Sequence, residues 1–326
     1  MNRIAKDKIE EYSNQALDIG GTNRKRFVRL DSSLLKNYLK EAIKSNCSYV
    51  TYIDDFIKEN CTRDNKNIPL KYVSVLMKKQ RVDYINDTSI KEAIGSQVAN
   101  LIGVPTVYNE RVVFEDSYFT MSIDFVKEGN EIDHLIEYKD SPDDCSNYWE
   151  WENDIERQFN QIIPNTNPNK QKNIEDIEHQ FVQQYCLKNL ILDDWDFKPR
   201  NLVYVKDLRT DTYSLGPVSD YEYILSYRRT DYFDKNCIDN VDYFLRHYKD
   251  EIDAFNKKIN KAFYKNGCLQ KDKLHKIFEK ETMQDKDYMK LIDQLYVNIE
   301  RFNNTYLELT NSKNMGGGKK SDNLCR

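Results

Sequence analysis

The alternation of hydrophobic and polar positions changes period several times along the chain, and each change predicts a new element. Residues 1–47 read as mostly helical, broken at Gly20-Gly21, because Leu34, Leu35, Tyr38, Leu39 and Ile43 share one face of a stretch from Ser32 to Ser45. From Ser48 the pattern turns β-branched and aromatic, and Tyr49–Ile53 and Tyr72–Met77 are predicted strands. Ile90, Ile94, Val98 and Ile102 then recur every fourth residue. That spacing predicts a helix over 89–102, closed by Gly103 and kept from resuming by Pro105. Two more strands, 106–114 and 118–126, turn at Glu115-Asp116-Ser117 and lead into an extended connector, 127–130.

The remainder follows another pattern. Residues 138–172 are rich in Asp, Asn, Pro and aromatic side chains and read as a loop excursion. A helix is predicted from Asn173 to Leu192, burying Ile174, Ile177, Phe181, Tyr185, Leu187, Leu190 and Ile191. Segments 202–205 and 213–218 form a hairpin about the polar turn 206–211, and 238–309 is helical almost throughout. The glycine- and lysine-bearing stretch 314–326 is expected to be disordered. The chain thus divides into a helical extension (1–47), a small sheet with one helix (48–126), a hinge (127–130), a larger helical part (131–311) and a tail (312–326).

Candidate chemistry gathers where the long helix meets the hairpin. The stretch Asp194-Trp195-Asp196-Phe197-Lys198-Pro199-Arg200-Asn201 holds Asp, Lys and Asn at 196, 198 and 201, and the second hairpin strand returns Asp220 to the same end. Phosphoryl transfer asks for this set: a carboxylate to orient a hydroxyl, a cation against the γ-phosphate, and Asn plus a second carboxylate for Mg²⁺. Asp and Asn in a turn also serve as local caps. The helix before, the hairpin after and the returning carboxylate favour chemistry.

Composition narrows the classes. With 49 basic and 54 acidic residues the net charge is −5, which disfavours bulk electrostatic binding to nucleic acid. No apolar run approaches the roughly 18 residues of a membrane span, and Met1–Glu11 lacks a secretory apolar core. Seven cysteines are dispersed without a close pair, and the four histidines are isolated. Reduced thiols in a cytoplasmic compartment are expected, without a disulfide framework or a zinc site.

The stretch Asp196-Phe197-Lys198-Pro199-Arg200-Asn201-Leu202 resembles the catalytic loop of eukaryotic-type protein kinases, with Asp220-Tyr221-Glu222 in the place of the Asp-Phe-Gly triplet. Lys91 to Pro105 is similar to the first-lobe helix pattern of bacterial HipA-like serine/threonine kinases. The resemblance implies a two-lobed protein-kinase-like α+β fold, with a small β-rich lobe, a larger helical lobe, and ATP and Mg²⁺ between them. It implies Asp196 and Lys198 as catalytic groups and Asn201 and Asp220 as metal ligands. It further implies Lys78, with Lys79 as the fallback, paired to Glu92 on the nucleotide phosphates, and Asp124 and Val126 against the nucleotide near the hinge.

The implied activity is phosphorylation of a Ser or Thr hydroxyl on a protein. A small-molecule phosphotransferase and an inactive pseudokinase acting as a binding module are the alternatives, and 138–172 is a candidate partner surface. The sequence departs from the kinase pattern at three places. Asp194 stands where a His is usual, no Ala-Pro-Glu follows Asp220, and no glycine lies between Thr22 and Ile94. The connector Lys58–Asn67 therefore takes the place of a glycine-rich phosphate loop. Gly20-Gly21 reads as a helix cap and turn, since no apolar strand runs into it.

Overall fold

The β-branched run at 72–77 forms the middle of a six-stranded sheet. Its strands are β1 (Asn2–Arg3), β2 (Ile9–Glu11), β3 (Lys25–Asp31), β4 (Tyr72–Lys79), β5 (Asn109–Phe114) and β6 (Ser117–Ile123), in the spatial order β1-β5-β6-β4-β3-β2. β1 runs parallel to β5, and every other neighbour is antiparallel. The computed structural model describes residues 2–3, 9–11, 25–31, 72–80, 88–107, 109–114, 116–123, 130–135, 148–194, 196–197, 201–225, 230–273, 275 and 286–316.

The N-terminal region corrects the helical reading of 1–47. Each of its described segments is a strand of this sheet, and Lys25–Asp31 pairs with Tyr72–Lys78 over seven positions. Arg26, Val28 and Leu30 alternate with Phe27, Arg29 and Asp31, a mixed pattern that hides a strand from periodicity. The helix expected at 32–45 and the strand expected at 49–53 lie outside the described residues.

Helix α1 (Thr88–Ile102) forms where the four-residue repeat places it, with Ile94 and Val98 fully buried. Gly103 ends it at φ +79°, and its N–H donates to the carbonyl of Ala99. Nearly all of its residues are buried, because it is enclosed by the sheet on one side and by the larger lobe on the other. Small side chains at Ser89, Ala93, Gly95, Ser96 and Ala99 make that enclosure possible. The strand expected from Thr106 begins at Asn109, while Thr106 forms a single parallel bridge to Val218.

In the larger lobe, β7 (Asn130–His134), β8 (Val203–Asp207) and β9 (Thr212–Leu215) make a three-stranded antiparallel sheet. The hairpin was legible in the sequence, but its third strand occupies part of the predicted hinge and its continuation. The helices are α2 (Tyr148–Ile162), α3 (Lys170–Tyr185), α4 (Thr230–His247), α5 (Lys249–Phe263) and α6 (Lys286–Gly316). The chain continues from α3 into a π-wound segment, Cys186–Ile191, which is buried throughout. Strands β10 (Tyr264–Lys265) and β11 (Cys268–Leu269) interrupt the predicted helical run, and α6 carries helix to Gly316 inside the expected tail.

Residues 148–162 correct the loop reading of 138–172. Their apolar positions Tyr148, Trp151, Ile155 and Phe159 fall at helical spacing and are buried at 0–1% exposure. Tyr148 packs within 4.7 Å of Phe244 and 5.2 Å of Tyr185, ring centre to ring centre, and Trp151 stacks on Phe197 at 6.3 Å. Each such pair adds about 0.5–1.5 kcal/mol beyond the area it buries. The aromatic residues that suggested a partner surface are in large part core. Among the described residues no helix is long and apolar enough to cross a membrane.

Candidate functional site

Strand β4 carries Lys78 between β3 and β6, facing Lys25 on one side and Thr120 on the other in the register. Its ammonium lies 3.0 Å from Glu92 Oε1 of α1 and 3.4 Å from Asp220 Oδ1, and it also ion-pairs with Glu222. These partners are 14 and 142 residues away for the first two. The pairing of Lys78 with Glu92 is the expected one, and strand alternation puts Lys79 on the opposite face. Glu92 sits in the second turn of α1.

Lys78 is no solvated strand-end lysine, since its side chain is 12% exposed against 4% for Glu92 and 5% for Glu222. Burial pulls its pKa down, but the charges of Glu92, Asp220 and Glu222 outweigh that and hold it above the ordinary lysine value. The Glu92 carboxyl is pushed up by burial, which the Lys78 charge opposes. Its second oxygen accepts the Tyr221 N–H at 3.0 Å and the Asn109 side-chain amide at 2.9 Å. Asn109 is itself held by the Ser122 hydroxyl at 2.6 Å, so Glu92 is oriented from three elements at once.

Tyr221 fastens the Asp220 segment to the small lobe. Its ring lies against α1 at Gly95, where an added Cβ would come within 2.3 Å of the ring. Glycine within a helix costs about 1 kcal/mol relative to alanine, and here it makes room for the aromatic side chain. The Tyr221 hydroxyl shares a 2.5 Å hydrogen bond with Thr106 Oγ1, which also donates to the Val218 carbonyl at 3.0 Å. Backbone bonds from Val107 to Val218 (2.8 Å) and from Val218 to Pro105 (2.9 Å) complete the join.

The Asp196 turn is built on the larger lobe. Phe197 is 1% exposed and packs among Trp151, Phe181 and Tyr185, which anchors the residue between Asp196 and Lys198. The Asn201 side-chain amide donates to the Asp196 carbonyl at 2.6 Å, closing the turn. The Asp196 N–H donates at 3.1 Å to Oδ1 of Asp194, so the Asp194 carboxylate caps this turn, and the Asp196 side chain is half-buried. Asp194 is buried, and burial raises its pKa against the opposing charge of Lys188.

Oxygen ligands suit Mg²⁺, and the structure supplies more of them than the sequence suggested. Glu92, Asp220 and Glu222 bring carboxylate oxygens within 4.8 Å of one another. Three carboxyl groups around one ammonium make an oxygen donor set that fits a hard divalent cation. Of the two expected ligands, Asp220 belongs to this cluster, whereas the described contact of Asn201 is to the Asp196 turn. Lys198, Asp124 and Val126 lie outside the described residues.

Sequence reasoning missed Glu222, Asn109 and Lys188. Glu222 follows Asp220 by two positions, the one clue available. Lys188 interrupts the apolar series Leu187, Leu190 and Ile191, a pattern that ordinarily marks a solvated edge. β3 lies beside the Lys78 strand and β2 beyond it, and their connection, residues 12–24, contains Gly20-Gly21. The connection itself, like Lys58–Asn67, is outside the described residues.

A small antiparallel-rich sheet with one enclosed helix, a larger helical lobe, and a strand lysine paired with a helix glutamate and with the carboxylate after a hairpin make a two-lobed, kinase-like α+β fold. Neither a family model nor a curated protein matches the chain. Among solved structures it is similar to the Helicobacter pylori proinflammatory kinase CtkA, at 14% identity over 73% of this chain and 92% of that one, with a TM-score of 0.49. It is also similar to HipA from the Shewanella oneidensis MR-1 toxin–antitoxin complex of HipA, HipB and operator DNA. That match has 12% identity, covers 75% of this chain and 62% of that one, and has a TM-score of 0.45.

Proposed function

We propose that the chain transfers the γ-phosphoryl group of ATP, with Mg²⁺, to a Ser or Thr hydroxyl of a protein. The observation that carries this reading is the Lys78 ammonium held between Glu92 of α1 and Asp220, at 3.0 and 3.4 Å. A buried lysine in that position is a fixed positive charge for phosphate oxygens, and Glu92 keeps it aimed. The choice of a protein hydroxyl rests on the resemblance of Asp196–Leu202 to the catalytic loop of eukaryotic-type protein kinases and of Lys91–Pro105 to the HipA-like kinases.

Bound Mg²⁺ would neutralise charge on the phosphates, with Asp220 as the carboxylate placed to hold it and Asn201 as the second expected ligand. Asp196 orients the attacking hydroxyl and accepts its proton, and Lys198 offsets charge at the transferred group. Glu222 has to yield when phosphates approach Lys78, because both are anions competing for one ammonium.

The test is the melting temperature with ATP, with and without Mg²⁺, alongside transfer of labelled phosphate to a panel of proteins and amino alcohols. A larger upward shift with Mg²⁺, together with labelling of protein Ser or Thr, is expected. Labelling of amino alcohols alone would replace the protein substrate by a small molecule. Equal shifts without any transfer would make the chain a binding module.

A further inference from the structure

Lys188 is a buried cation that the catalytic set does not use directly. It lies in the π-wound segment, is 1% exposed, and donates to the Ser219 carbonyl at 3.3 Å and to the Asp220 carbonyl. Its third partner is the Asp194 carboxylate, whose other oxygen accepts the Asp196 N–H at 3.1 Å. One ammonium thus connects the main chain of the expected metal ligand with the main chain of the expected proton acceptor. The aromatic ring of Tyr221 lies below it at 4.5 Å.

The backbone shows what this contact has to hold. Asp220 has φ +56° and Asp193 has φ +46°, left-handed conformations that cost a non-glycine residue about 1 kcal/mol or more. Such geometry persists only where neighbours impose it. On one side of Asp220 the Tyr221 N–H is bonded to Glu92; on the other the carbonyls of Ser219 and Asp220 converge on Lys188. The π-turn changes the helical register just before the site, and buried π-turns of this kind recur at functional positions.

We propose that Lys188 is a positioning residue: through the Asp220 carbonyl and the Asp194 carboxylate it sets the Asp220 and Asp196 side chains in mutual register. This rests on the reading of Asp196 and Asp220 given above. Lys188 itself would touch neither the nucleotide nor the acceptor hydroxyl. Removing a group that orients a metal ligand from behind typically weakens metal affinity or activity by roughly 10- to 100-fold.

The experiment compares the parent, Lys188→Met and the pair Lys188→Met with Asp194→Asn, below their melting temperatures. The pair leaves no buried carboxylate without its cation, so it carries the comparison if the single variant does not fold. ATP dissociation constants are measured with and without Mg²⁺, and amide hydrogen exchange is followed over 193–197 and 219–222 without nucleotide. A roughly 10- to 100-fold loss confined to the Mg²⁺-dependent affinity is expected, with faster exchange in both segments. Folded variants with parental Mg·ATP affinity and parental exchange overturn the role of Lys188. If the parent shows no Mg²⁺-dependent ATP binding, the phosphotransfer reading fails, and hydrogen exchange alone decides whether Lys188 holds the two segments.

Discussion

Lys78 and Lys188 come from different lobes and meet the same residue, Asp220, from two sides. Lys78 faces its carboxylate, together with those of Glu92 and Glu222. Lys188 faces its carbonyl, that of Ser219, and the Asp194 carboxylate. Both ammonium groups are shielded from water, yet the partners differ in kind. Carboxylate side chains can swing away when a ligand supplies other charge, whereas a main-chain carbonyl moves only with the backbone. The first lysine is therefore suited to exchange partners with phosphate, and the second to keep the path of the chain unchanged.

The largest effect is expected from the two carboxylates that these lysines serve. Asp196→Asn should lower turnover by about 10²- to 10⁴-fold while Mg·ATP binding persists, because the side chain acts on the acceptor hydroxyl. Asp220→Asn should lose Mg²⁺-dependent nucleotide binding as well, since a neutral amide is a weaker Mg²⁺ ligand. Steady-state rates paired with nucleotide titration separate the two. Near-parental turnover of Asp196→Asn would show that the carboxylate is not the proton acceptor.

Lys78→Met is the next largest. It leaves Glu92 and Glu222 buried without their cation, at 4% and 5% exposure, so a stability loss of about 3 kcal/mol or more is expected in urea unfolding. An exposed lysine would show almost none of this. Lys79→Met, on the opposite face of the strand, should change neither stability nor nucleotide affinity appreciably. Equal losses from both would break the distinction drawn between them.

The smallest effect tests whether Lys78 exchanges partners. Glu222→Gln removes one anion from the ammonium while keeping the side-chain size, so phosphate meets less competition. ATP should bind up to about tenfold more tightly, the equivalent of roughly 1.4 kcal/mol. A weaker binding of Mg·ATP would instead make Glu222 part of the metal-binding set with Asp220 and Glu92.

Local pattern alone determined α1, the hairpin β8–β9 and the strand bearing Lys78, whereas the pairing of Lys78 with Glu92 came from the resemblance to kinases. These features are encoded within a few residues, by four-residue apolar spacing, by β-branched runs, and by turn residues such as Gly103. The strands of the N-terminal region were not legible, because Lys25–Asp31 mixes charge with apolar residues and becomes a strand only beside Tyr72–Lys78. Trp151 could be read as exposed or buried from its polar neighbours; the ring of Phe197 and the surrounding core decide it. The charges follow the same rule. Whether Glu222 and Lys188 are solvated or paired depends on partners at Lys78, Asp194 and the Asp220 carbonyl. Burial of a charge is decided by what surrounds it in space, and the tertiary structure brings those neighbours together from distant parts of the chain.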